Sequence, residues 1–175
     1  MDSNKWIYKT DDNNRSRFVL GIEGVNPLIC FGINPSTAAP GKLDNTVKSV
    51  ERLAFNNGFD SWIMLNLYPQ RATQPAKIHK RLQAKLHQEN LYQIEKLIAN
   101  YNQLNLWAAW GTLIEFRSYF FKCLSDIKEI VDSYSHNWIK SGDLTKAGHP
   151  RHPLYLKASS TFDKFEMENY FLRKK

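Results

Sequence analysis

Cysteine is scarce in this chain of 175 residues: there are two, Cys30 and Cys123, each inside an apolar segment. With no cluster of histidines beside them, they cannot ligate an iron–sulfur cluster or a structural zinc. Buried free thiols are expected instead of a disulfide, and no metal or other cofactor is expected. Long uninterrupted apolar runs are missing too, which excludes a membrane-spanning helix. Nor does a basic, apolar, small-residue leader open the chain, so the expectation is a cytoplasmic protein with no membrane partner. Internal repeats, linkers and low-complexity tracts are also lacking. The length suits one domain over residues 1–175, with one substantial core, and a monomer is expected. Acidic side chains are in deficit: 24 Lys and Arg stand against 17 Asp and Glu, a formal charge of +7. Such an excess suits a polyanionic partner, because clustered cations release condensed counterions from nucleic acid.

What is present is an alternation of short β-rich runs with helical periodicity. Arg17 to Glu23, Leu28 to Ile33, Trp62 to Asn66 and Leu104 to Ala109 read as strands, and Ile130 to Ile139 as a fifth. Asp44-Asn45-Thr46 opens a helix with Val47, Val50, Leu53 and Ala54 on one face, stopped by Asn56-Asn57-Gly58. Leu86, Leu91, Ile94, Leu97 and Ile98 recur at helical spacing within 84–101. Thr112 to Leu124 and Phe162 to Leu172 are the remaining predicted helices. The alternation predicts a three-layer α/β/α sandwich with a mainly parallel central sheet.

Three loops follow apolar runs and concentrate polar side chains: Gly32 to Ala38, Asn66 to Thr73 and Gly148 to Leu156. In open α/β sheets ligands bind beyond the carboxyl ends of the strands, so Asn34, Asn66 and the His149–His152 loop are expected to face one cleft. Arg71, Lys146, Arg151 and Lys157 are expected to form its basic rim, with Lys146, Arg151 and Lys157 contacting nucleic acid.

These loops carry a pattern that resembles a bacterial and phage family, domain of unknown function 1643. Its marks here are Asn34 to Ala38, Asp44 to Thr46, Asn66 to Thr73, Ala109 to Gly111, and Thr145 to Leu156. More remotely, the loop order is similar to the uracil-DNA glycosylase superfamily. The resemblance implies that fold. It also implies that Asn34, within Gly32-Ile33-Asn34-Pro35, holds the attacking water, and that Asn66 reads a flipped base. It further implies that either His149 or His152 belongs to the loop that contacts the base and enters the duplex through Pro153-Leu154.

Breaking an N-glycosidic bond builds positive charge on the sugar and negative charge on the departing base, so donors and a held water are needed. Asn34 orients a water through its carbonyl oxygen. Asp44 supplies general-base help or caps a helix, the commoner use of such an Asp. Asn66 carries a donor and an acceptor for a base edge; its plainer role is to tie a strand end to a loop. His149 and His152 are candidates for a neutral donor to the leaving base. Ile33, Pro35 and Ser36 line the site around Asn34, Arg71 offers a planar fork to phosphate or a carbonyl-rich base, and Tyr68 stacks on the base or packs a wall. Trp107, Trp110, Phe116, Phe120 and Phe121 read as packing. The leading expectation is a DNA glycosylase-like enzyme acting on a damaged or modified base in single- or double-stranded DNA. The alternatives are hydrolysis or transfer on a free nucleoside or nucleotide, and a non-catalytic nucleic-acid-binding protein of the same fold.

Overall fold

Along β3 (Pro27–Gly32), Leu28 and Cys30 alternate with Ile29 and Phe31, and all four side chains are buried. A strand buried on both faces needs cover on both, and the rest of the chain supplies it. The structure is a computed structural model and describes residues 5–175. β4 (Ser61–Asn66) and β5 (Asn105–Ala108) flank β3 in parallel, and β6 (Asn137–Ser141) lies parallel to β5. β1 (Trp6–Thr10) and β2 (Arg17–Ile22) form an antiparallel pair beyond β4, and β7 (Phe162–Lys164) runs antiparallel to β6. The order across the sheet is β1-β2-β4-β3-β5-β6-β7. The sheet is therefore mixed: parallel at its four central strands, as expected, and antiparallel at both edges, which the sequence reading did not anticipate.

Helices cover both faces. α1 (Asn45–Asn56) lays Val50, Leu53 and Ala54 on Leu28, Cys30, Trp62 and Trp107. On the other face, α2 (Ala84–Ile98) and α3 (Phe120–Val131) lay Ile94, Ile98, Leu124 and Ile127 on Ile29, Phe31, Ile63 and Leu106. α4 (Met167–Arg173) adds Met167 and Tyr170 to that second core. Cys30 and Cys123 are buried and free. None of the described helices is long and apolar enough to cross a membrane.

Three boundaries differ from those predicted. The helix expected over 112–124 is a 3₁₀ turn at Gly111–Glu115 followed by α3. α3 runs on to Val131, so the fifth predicted strand begins only at Asn137. The closing helix is preceded by β7, whose Phe162 pairs with Ser141 and packs edge-on against Trp107, ring centroids 5.0 Å apart. A three-residue edge strand is too short to show a period.

The chain leaves β3 toward β4 and leaves β5 toward β6, on opposite sides of the β3–β5 pair. The loops after β3 and β5 diverge, and this reversal of strand order opens a crevice between them.

Candidate active site at the switch point of the sheet

A cavity of ≈ 670 Å³ occupies that crevice. Its walls are the loop after β3, the start of α1, the loop after β5, and residues of the 145–155 loop. Of the residues expected at a site, Ile33, Asn34, Pro35 and Ser36 line it on one side, and Asp44, Arg151 and His152 on others.

Asn34 is held by its amide nitrogen. Nδ2 donates to the carbonyl oxygens of Pro35 (3.0 Å), Gln70 (3.2 Å) and Ala72 (3.0 Å). Three carbonyls fix which end of the amide is which, since only the NH₂ side can face acceptors. Asn34 lines the cavity, and among the described residues its Oδ1 accepts no hydrogen bond. The two motif loops thus meet in one clamp: the Asn66–Thr73 loop supplies two of the three carbonyls.

The two histidines of the last loop have different surroundings. His149 is fully buried, with Nδ1 2.7 Å from the Tyr170 hydroxyl and Nε2 2.7 Å from Glu115 Oε1. The Trp110 indole N–H donates to the same Tyr170 oxygen (3.1 Å). Donors and acceptors then run in one direction, Trp110 to Tyr170 to His149 to Glu115, tying α4 to the 3₁₀ turn after β5. Contact with His149 holds the Glu115 carboxyl below its ordinary range. Both His149 nitrogens are engaged and the ring does not line the cavity, so the structure corrects its reading as a donor to substrate. His152 does line it. Its Nδ1 accepts the Leu154 backbone N–H (3.2 Å), which leaves the ring proton on Nε2. Gly111, at φ +62°, lets the loop after β5 approach this residue: a Cβ there would lie 3.3 Å from His152 Cβ.

Burial lowers the His152 pKa below 6.5, against a smaller upward pull from Asp44. The ring is neutral at neutral pH. Because the unfolded chain takes the proton first, the neutral ring's contribution to stability is complete above 6.5 and declines as pH falls through that value toward the folded-state pKa. In an NMR titration the His152 ring resonances should therefore move with a midpoint below 6.5; a midpoint above it would contradict this environment.

Asp44 has both of the roles considered for it within reach. Its Oδ1 accepts the Val47 N–H at 2.9 Å, capping α1, while the carboxylate lines the cavity and acts electrostatically on Arg17 and His152. Asp44→Ala should cost about 1 kcal/mol in denaturant unfolding, and Asp44→Ser, which keeps a capping oxygen, a few tenths at most. Equal losses would mean that the cap contributes little.

Other candidates lie elsewhere. Tyr68 is fully buried in the α2–α3 core, its hydroxyl 2.7 Å from His79 Nδ1, so it packs and does not stack on a ligand in the cavity. Arg71 is turned behind the β3 loop: Nη1 donates to the carbonyls of Ser36 (2.6 Å) and Ala38 (3.2 Å), Nη2 to the Tyr8 hydroxyl (2.6 Å), and Nε to Asn14 Oδ1 (3.1 Å). It braces the loop that carries Asn34, and it lines a smaller neighbouring hollow instead of the main cavity. Asn66, expected to face the cleft, is not among the residues that line the cavity; it is 1% exposed, and among the described residues neither Nδ2 nor Oδ1 has a partner. It lies just beneath Gly32, where a Cβ would come within 3.1 Å of Asn66 Oδ1 and 2.7 Å of Met64 Cε. Buried amides without partners are rare in folded proteins. Of the expected basic rim, Arg151 lines the cavity, its Nε donating to the Asp143 carbonyl (2.8 Å). Lys146 and Lys157 are exposed, the first beside the cavity residue Thr145 and the second two positions after Tyr155.

The cavity also takes in residues that the sequence did not place at a site, Trp110, Tyr155 and Arg17 among them. Trp110, expected only to pack, forms a wall as well. Tyr155 is 78% exposed beside Leu154 in a 3₁₀ turn at the cavity mouth. Arg17 heads β2 and lines the cavity. A basic residue opening an otherwise apolar strand was the available signal for it.

No curated protein and no solved structure matches the chain. A family model does, and its match begins at Arg17 and ends at Leu154, both residues of the cavity. Over residues 17–154 the chain matches, and so belongs to, the family described as protein of unknown function (DUF1643).

Proposed function

We propose that the chain is a DNA glycosylase-like enzyme that hydrolyses the N-glycosidic bond of a damaged or modified base, with a fold similar to the uracil-DNA glycosylase superfamily. The observation that carries this reading is the clamped amide of Asn34, a cavity-lining residue at the strand ends whose neutral Oδ1 accepts no hydrogen bond among the described residues. An acceptor fixed in that way holds a water by one of its protons and leaves the water's lone pair directed elsewhere. A neutral amide is a weak base, but in a dissociative reaction the sugar is already electrophilic when water attacks, and positioning supplies most of the gain. Asp44, across the same cavity, takes the water's proton. His152, kept neutral with its proton on Nε2, donates a hydrogen bond to the departing base. Asn66, with an unpartnered donor and acceptor beneath Gly32, lies beside the space that a base edge would reach.

DNA is the proposed partner. Arg151 and the exposed Lys146 and Lys157 lie in or next to one loop, and Leu154 and Tyr155 present exposed apolar surface at the mouth. Bringing a base out of a duplex leaves a gap that such side chains fill, while the cations contact phosphate.

The test is to incubate the purified chain with single- and double-stranded DNA carrying one modified base at a time, and to cleave any abasic sites with alkali. Cleavage at the modified position is the expected result, along with DNA affinity that falls as salt rises. Salt-insensitive binding, or activity on free nucleosides with none on DNA, would overturn the assignment.

A further inference from the structure

Arg17 is the first residue of a strand that is otherwise apolar, and a local irregularity decides where it points. Lys9 pairs with Val19, and Thr10 with Arg17, so Phe18 is an extra residue in β2. Phe18 and Val19 both enter the core on the α2–α3 side, whereas Leu20 and Ile22 enter the α1 side. The bulge returns Arg17 to the α1 side, beneath the loop that carries Asn34, as bulges near functional sites commonly re-aim a side chain.

There Arg17 is 1% exposed and lines the cavity. Nη1 donates to the Ala38 carbonyl at 3.1 Å, and Nε is buried with no partner among the described residues. No ion pair forms between Arg17 and any described carboxylate; Asp44 acts on it only at a distance. Arg71 donates to the same Ala38 oxygen, so a second guanidinium adds to the positive potential. Burial and Arg71 lower the Arg17 pKa to about 10, which leaves it a cation at neutral pH. A buried charge without a partner is expensive to keep. Among the described residues no carboxylate pairs with it, and the opposite charge it calls for fits a ligand in the cavity.

We infer that Arg17 is the fixed cation that binds the base as an anion in the cavity. The inference rests on the glycosylase reading and adds, beside the neutral His152, a cation that stabilises the leaving group. The C1′–N bond breaks with both electrons passing to the base nitrogen, and the water oxygen bonds to C1′. The water's proton goes to Asp44 and then to solvent, and the base anion opposite Arg17 takes a proton from water after release. Arg17, donor only, complements that charge.

The experiment is equilibrium titration of the full chain at neutral pH with two matched pairs of free bases. Urate and 5-nitrouracil are anions there; hypoxanthine and uracil are their neutral counterparts. The wild type should prefer the anion in at least one pair, by roughly ten- to a hundred-fold. Arg17→Met and Arg17→Gln should abolish that preference, and Arg17→Lys should retain part of it. Arg17→Met removes an uncompensated charge, so it should melt no lower than the wild type. Should it fail to fold, Arg17→Gln, which keeps a donor for Ala38, reads the same effect. No anion preference in either pair, or a preference that survives in the neutral variants, overturns the inference. So does Arg17-dependent binding of inorganic phosphate that displaces the bases, which would make the anion a phosphate. The two readings fail separately. Arg17-dependent binding of base anions without abasic-site formation on any DNA would count against the glycosylase alone, and full-rate base removal by Arg17→Met against this inference alone.

Discussion

Asn34→Ala should reduce turnover on a modified-base substrate by a factor of order 10², with little change in substrate binding. The held water matters mainly in the transition state, so the loss belongs in the chemical step. Asn34→Asp is the more discriminating change. A carboxylate is a better base than an amide, and in a site that merely needed a base it would raise the rate. Here the Nδ2 position faces three carbonyl oxygens at 3.0 to 3.2 Å, and an oxygen there meets acceptors only. The aspartate variant should therefore lose activity and, in denaturant unfolding, roughly 2–3 kcal/mol of stability, because several buried acceptors lose their donor. A faster Asn34→Asp enzyme of unchanged stability would show that the clamp does not set the orientation of this side chain.

The two histidines should separate by the kind of damage their removal causes. His149→Ala deletes a fully buried ring, its two 2.7 Å contacts, and the tie between α4 and the turn after β5. It should cost roughly 2–4 kcal/mol of stability through the void and the orphaned Tyr170 and Glu115 groups, with folded protein keeping most of its turnover. His152→Ala removes a half-buried ring whose one backbone contact caps a single 3₁₀ turn. It should melt close to the wild type and lose of order 10²-fold in turnover. Thermal melts and single-turnover rates on the same preparations decide the matter; the opposite pattern would return His149 to the site.

The central strands were legible because burial on both faces leaves runs such as Leu28 to Ile33 with no polar alternation, and α1 because Asp44 and Gly58 mark its two ends. The edge strands were not. β1 mixes apolar and polar residues in WIYKT without a clear core side, and β7 has only three residues. In the site, Asn34, Asp44 and Arg151 could be located from their loops, since a residue just past a parallel strand or at the start of its helix has few places to go. The choice between His149 and His152 could not be made. It depends on Glu115 and Tyr170, which lie 34 and 21 residues away in sequence and meet His149 only when α4 docks. Arg71 belongs to the loop its sequence position indicates, but the carbonyls of Ser36 and Ala38 that it binds become visible only in the folded chain. Arg17 was hidden by a bulge, and one extra residue in β2 changes which face it occupies.

Release of free base from modified DNA, followed by mass spectrometry under single-turnover conditions for the wild type and Asn34→Ala, tests the central claim most directly. The expected result is free base appearing in step with abasic sites in the wild type, and about a hundred times more slowly in the variant. Base released at the same rate by both proteins, or no base released from any of the DNAs that the wild type binds, would contradict it.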